Sequence, residues 1–328
     1  MGILTKAVLL PVTISFILAS SVISTRSFSQ ENQEQETQQS TSESTPEKAS
    51  KNASEKTTSN GDAAPVTNEQ QSPERPDISL PKALPEIYEL DLKHYLPEGE
   101  YENIMVGDNE HVALVTTHDS ELPKGIAILI PDWQQPATSP QAINELRKIL
   151  PKQGWTTLSL QPLDKPENYP SNALDDTTKT AENAEQLAQY QQQLAPLIAA
   201  SIEKAKSFPG IIILIAQGQN AAQILSILQQ PEFAKPNAYI MLSAYMPTTQ
   251  ETQIAAEHLT ELTLPILDVS LKADHFQVPR NVALRSKYVK QLAKSQYRQT
   301  TLFNFTTGYY DANALATQIK GWLTSLGW

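Results

Sequence analysis

The segment Ala216-Gln217-Gly218-Gln219-Asn220-Ala221 lies between an apolar run, Gly210 to Ile215, and a stretch of helical spacing from Ala222 to Gln230. A tight turn between a buried strand and a helix holds its side chains at the strand's C-terminal end, where open α/β sheets bind ligands. The residue types there can hydrogen-bond but cannot attack. No Ser, Thr, Cys or Asp occurs between Gly210 and Leu225, so the turn carries no nucleophile. It could turn amides toward an anion at a helix N-terminus, but it lacks the glycine pattern of a dinucleotide loop, and no cofactor is expected.

Three other places carry reactive groups. Asp132-Trp133 follows the run Gly125 to Pro131 and pairs a carboxylate with an aromatic face, as ligand sites do; a capped turn with a packed Trp is the plainer alternative. Asp274-His275 could activate a water, and Ser243, ending the run that starts at Tyr239, could act as a displaced nucleophile. The five histidines, at 94, 111, 118, 258 and 275, have no ligand spacing, so no metal is expected. The chain has no cysteine, which removes disulfides, thiolate metal sites and cysteine catalysis together.

These groups need elements to hold them. Tyr101 to Val106 and His111 to Thr117 alternate apolar and polar residues around Gly107-Asp108-Asn109, an antiparallel opening hairpin. The continuous apolar runs Gly125 to Ile130 and Gly210 to Ile215 suit strands buried on both faces of a parallel sheet. Trp155 to Leu160, Tyr239 to Ser243, Leu264 to Leu271 and Thr300 to Phe305 supply further strands. Between them, helices are expected from a Ser139-Pro140 start up to Gly154, over 181–208 with a break at Pro196, after the capping box Thr248 to Glu251, over 280–294, and from Asp311 to Leu326. The polar segment Gln161 to Thr180 is expected to form a flexible cap. The result is an α/β domain over residues 85–328, a mostly parallel central sheet with helices on both faces.

Ahead of that domain, residues 1–29 have the form of a signal peptide. Lys6 precedes an apolar run from Ala7 to Ile23, and Ser27-Phe28-Ser29 offers a small-x-small cut, with an uncleaved anchor as the alternative. Export, most simply to the periplasm, is therefore expected, with no transmembrane segment after cleavage. Residues 30–84 are dominated by polar side chains, which bury too little surface to offset ordering entropy, so a disordered linker is expected there, serving as a spacer or a partner-binding arm. The net charge of −11 and the lack of a basic cluster exclude a nucleic-acid interface.

The element order from Tyr101 to Trp328 resembles the α/β-hydrolase fold. The leader, polar spacer, Ile130-Pro131-Asp132-Trp133, the Ala216 to Ala221 turn and the closing Gly321-Trp322-Leu323 are similar to an uncharacterised family of exported proteobacterial proteins placed in that fold. The resemblance implies that the turn stands where active members have Gly-x-Ser-x-Gly, with Gly218 at the serine and Ala216 and Asn220 at the glycines. It makes Asp274, beyond the seventh strand, a relic of the catalytic acid. The loop Thr306 to Asp311, where the histidine belongs, has none, and Tyr309 or Tyr310 takes its place. Asp132 lies where the oxyanion hole is built, and a carboxylate there repels a developing oxyanion.

Two function classes follow. The first is a binding or adaptor protein without serine-hydrolase activity, taking an envelope protein or small ligand near Asp132, Trp133, Gln217, Gly218, Gln219 and Tyr309. The second is an unorthodox esterase- or peptidase-like hydrolase that uses Ser243, or a water activated by Asp274 and His275.

Overall fold

The computed structural model describes residues 81–328. The expected signal peptide, 1–29, and residues 30–80 of the expected linker lie outside the described residues. An eight-stranded sheet organises the domain, in the order β1-β2-β4-β3-β5-β6-β7-β8. The strands are β1 (Tyr101–Val106), β2 (Asn109–Thr116), β3 (Gly125–Ile130), β4 (Trp155–Leu160), β5 (Ile211–Gln217), β6 (Ala238–Leu242), β7 (Ile266–Leu271) and β8 (Tyr297–Leu302). Antiparallel pairing is confined to β1–β2 and β2–β4, and all other pairs are parallel. Every residue of β3, β4, β6 and β7 is buried; β3 and β6 are accordingly apolar runs with no solvent-facing side, while β4 and β7 also bury Thr156, Thr157, Ser159, Asp268 and Ser270.

Helices cover both faces. One core layer joins Ile128, Leu158, Leu214 and Met241 to Leu194 and Ile198 of α3 (Asp176–Ala205), Leu225 of α4 (Gly218–Gln229) and Leu259 of α5 (Thr249–Glu261), with Val289 of α6 (Val278–Gln291) at its edge. The opposite layer sets Leu129, Ile215, Ile240 and Val269 against Leu146 of α2 (Ala142–Ile149) and Ile319 and Trp322 of α7 (Ala312–Ser325). The alternation of Ile128 and Leu129 between layers is the two-residue period of a strand.

Several expectations need correction. The helix α1 (Leu84–Tyr95) was not among the expected elements, although Leu84, Tyr88, Leu92 and Tyr95 recur at helical spacing; only Leu92 of it is fully buried. Ser139 does not cap α2, whose N-cap is Gln141. Pro196 does not break α3, because Leu194, Leu197 and Ile198 bury against the sheet on either side of it and hold the helix through the lost backbone bond. β8 lies three residues earlier than expected, since its register is set by Ile266 opposite Tyr297 and the aromatic residues Phe303 and Phe305 are exposed beyond it. The segment after β4 is anchored where a flexible cap was expected. Tyr169 is buried and its hydroxyl donates to Glu251 at 2.5 Å, while Asn183 Oδ1 accepts from the Ser171 amide at 2.7 Å. The capping box at Thr248 and Glu251 is present, and Glu251 therefore caps α5 and pins this segment together.

Candidate functional site

Gly218 opens α4 directly after β5 with φ +62°, a left-handed conformation that only glycine adopts without strain. A second restriction is steric. A Cβ on Gly218 would lie 2.0 Å from Asp132 Oδ2 and 2.1 Å from its Cγ. Asp132, two residues beyond β3, thus fills the space into which a side chain at the turn would project.

Asp132 Oδ1 accepts from the backbone amides of Trp133, at 2.8 Å, and Gln219, at 2.9 Å. One amide follows the turn residue and the other comes from the loop after β3. In hydrolases built on this sheet, that pair of amides receives the oxyanion. Here a carboxylate of the chain itself is the resident anion. The repulsion expected from sequence is therefore only part of the effect, because Asp132 also occupies both the donors and the nucleophile's space. Burial pushes its pKa up to about 6, against the opposing pull of the Trp133, Gln219 and Asn220 amides.

Asn220 secures the turn. Its Nδ2 donates to the Pro131 carbonyl at 2.7 Å and its Oδ1 accepts from the Tyr190 hydroxyl at 2.5 Å, tying the turn to the end of β3 and to α3. Trp133 faces inward, 6 % exposed, with edge-on contacts to Tyr169 and Tyr190. Its indole is a core group, and its contribution to the site is the backbone amide. Gln219 likewise contributes an amide.

Across the crevice, Ser243 directly follows β6, with φ +47°. Its hydroxyl donates to Asp274 Oδ2 at 2.6 Å and lies 2.6 Å from the Tyr310 hydroxyl. Asp274 also accepts from the Leu271 and His275 amides, each at 2.8 Å. Burial, with the Asp274 and Asp268 charges, raises the Tyr310 phenol well above its ordinary range, so it stays protonated. Tyr310, rather than Tyr309, is the tyrosine that reaches the acid's neighbourhood; Tyr309 is half exposed at the rim. The Asp274–His275 pair does not form through side chains. The His275 ring stacks on Tyr245 with centroids 4.5 Å apart, and only its backbone amide meets Asp274. No imidazole therefore lies between Ser243 and Asp274.

These groups enclose a crevice of about 240 Å³ at the C-terminal edge of the sheet, lined among others by Asp132, Gln217, Ser243, Tyr245, Asp274 and Tyr309. No Lys or Arg lines it. The Gln217 side chain is 6 % exposed and its Oε1 has no hydrogen-bond partner.

A larger groove of about 630 Å³ runs between α3, α4 and α5, beyond the loop that carries Tyr245 and Met246. It contains a Ser226–His258 hydrogen bond of 2.9 Å. Ser226 sits inside α4, where the helix engages the amides, so this pair has no oxyanion donors. Among the described residues no group of three or more His, Asp or Glu is placed to hold a metal ion, and no helix is long and apolar enough to cross a membrane.

The sheet order, with its antiparallel entry and the strand-turn-helix at Gly218, defines an α/β-hydrolase-like protein. Residues 9–325 match a family described as protein of unknown function (DUF3530), and the chain belongs to that family. No curated protein matches the sequence. Among solved structures, the chain is similar to Est1E from Butyrivibrio proteoclasticus, with 13 % identity, TM-score 0.49, and coverage of 69 % of this chain and 98 % of that one. A dienelactone hydrolase from Anabaena variabilis shows 13 % identity, TM-score 0.46 and coverage of 69 % and 96 %. An alpha-beta serine hydrolase homologue from Coxiella burnetii shows 12 %, 0.44, and 71 % and 99 %.

Of the residues expected at the site, Asp132, Gln217, Gly218, Asp274 and Tyr309 line one crevice, while Trp133 and Gln219 do not line it and contribute backbone amides. Asn220 was not expected to secure the turn, because that role depends on Pro131 and Tyr190, each at least 30 residues away in sequence.

Proposed function

We propose that this protein is a non-catalytic member of the α/β-hydrolase scaffold, exported to the cell envelope, whose crevice beside Gly218 binds a ligand or partner. The observation that carries this reading is the Asp132 carboxylate, which accepts from the two amides an acyl-transfer enzyme needs free and blocks a nucleophile at Gly218. Transition-state charge would find no donor there, and a second negative charge would be repelled. Export rests on the Lys6 and Ala7 to Ile23 leader. The full chain should take no label from a serine-directed fluorophosphonate, and cell fractionation should recover it outside the cytoplasm. A fluorophosphonate adduct abolished by Ser243→Ala would overturn the non-catalytic reading, and a cytoplasmic pool of full-length chain the exported one.

The short Ser243–Asp274 contact favours one second reading, an unorthodox hydrolase with Ser243 as nucleophile. It requires a carboxylate to act as the base without an imidazole, and it lacks vacant oxyanion donors. Turnover of an ester or peptide by the purified protein, lost in Asp274→Ala, would establish it.

A further inference from the structure

We infer that the crevice beside Gly218 is selective for an organic cation, a protonated amine or guanidinium that places its N–H groups between Asp132, Asp274 and Gln217. This names the ligand class and rests on the reading of the crevice as a binding site.

The polar groups lining the crevice are matched to donors. The Trp133 and Gln219 amide bonds to Asp132 both fall on Oδ1, and the carboxylate lines the crevice. Asp274 brings a second carboxylate to the same space. Gln217 supplies an independent sign of an absent ligand group: its side chain is more than nine-tenths buried, lines the crevice, and leaves Oε1 without a partner. A buried, unpaired carboxamide oxygen is costly unless something donates to it.

Anionic ligands do not suit this lining. No Lys or Arg is present, and the two amides able to hold an anion are engaged by Asp132. A metal ion is disfavoured because Asp132, Asp274 and His275 do not converge as a ligand shell. The aromatic residues Tyr245, His275 and Tyr309 line the same crevice, and a cation is attracted to a tyrosine ring. An ammonium or guanidinium on a short apolar stem satisfies the carboxylates, the carboxamide and the rings together.

The test uses the full ¹⁵N-labelled chain at pH 7.5, titrated separately with benzylammonium, Nα-acetyl-lysinamide, benzyl alcohol and benzoate. The Trp133 and Gln219 amide signals report directly on the Asp132 carboxylate. Both cations should shift these signals saturably, more tightly than benzyl alcohol, and benzoate should leave them unmoved. Asp274→Asn should weaken the cations about ten- to hundredfold, the loss of a charged hydrogen-bond partner. Gln217→Leu, which removes a carboxamide oxygen with no protein partner, should weaken them severalfold with spectral dispersion retained, so a folding defect in the first variant would not remove the test. Tighter binding of Nα-acetyl-lysinamide identifies a peptide side chain as the source of the cation, and tighter benzylammonium a small amine. If benzoate or benzyl alcohol bound as tightly as the cations, the crevice would be a binding site without cation selectivity and this inference would be wrong. Silence toward all four probes would overturn it and count against the binding reading as well.

Discussion

Gly218→Ala is the perturbation that most sharply probes the turn. Two costs follow from the geometry. At φ +62° an alanine bears about 1–2 kcal/mol of left-handed strain. Its Cβ would also stand 2.0 Å from Asp132 Oδ2, forcing the carboxylate to withdraw by about 1 Å or more. That movement takes Oδ1 out of range of the Trp133 and Gln219 amides, and a hydrogen bond to a charged group contributes about 1.5–3 kcal/mol. With water at the crevice recovering part of the loss, Gly218→Ala should cost about 3–6 kcal/mol. On an Asp132→Ala background the same substitution should cost only the strain, about 1–2 kcal/mol, giving a coupling of about 2 kcal/mol or more between the two sites. Urea unfolding followed by tryptophan fluorescence measures both, provided the transition slope is shared. Equal costs of Gly218→Ala on the two backgrounds would show that Asp132 does not fill the turn.

Other consequences follow from the same structure. Asp268 and Arg285 form a fully buried pair at 2.7 Å, with Tyr297 donating to Asp268; Asp268→Ala strands a guanidinium and should cost about 3–5 kcal/mol, most of it recovered by adding Arg285→Met. Asp132 binds its proton more tightly when folded, at about 6 against 3.8, so the folded state holds more protons between these values and stability falls as pH rises from about 4 to 6. Asp132→Asn should remove that slope, gaining about 1–2 kcal/mol over wild type at pH 7.5, after allowance for the open crevice, and nothing at pH 4. Gln217→Leu should leave the ligand-free protein as stable as wild type or up to about 1 kcal/mol more so by denaturant midpoint, since Oε1 loses no bond.

The sheet was legible because buried parallel strands write themselves as uninterrupted apolar runs, as in β3 and β5. The starts of α5 and α7 were equally plain, with Glu251 and Asp311 making their caps within three residues of the helix start, whereas Ser139 failed to cap α2. What failed was set by distant partners. β8 takes its register from β7, and the cap segment is pinned by Glu251, which is 82 residues from Tyr169. At the site, the lack of a nucleophile and of a loop histidine could be read directly from residue types. The position of the Asp132 carboxylate could not, because it depends on Gly218 having no Cβ and on an amide 87 residues away in sequence.

The Asp132 carboxylate occupies the amides beside Gly218. The most direct measurement is an NMR titration of the Asp132 carboxyl carbon together with the Trp133 and Gln219 amide protons. Predicted is a single transition near pH 6 shared by all three signals, with the amide protons moving as the carboxylate they donate to gains its proton. An Asp132 carboxyl that titrates near 3.8 while both amides remain still would place the carboxylate elsewhere and contradict the account.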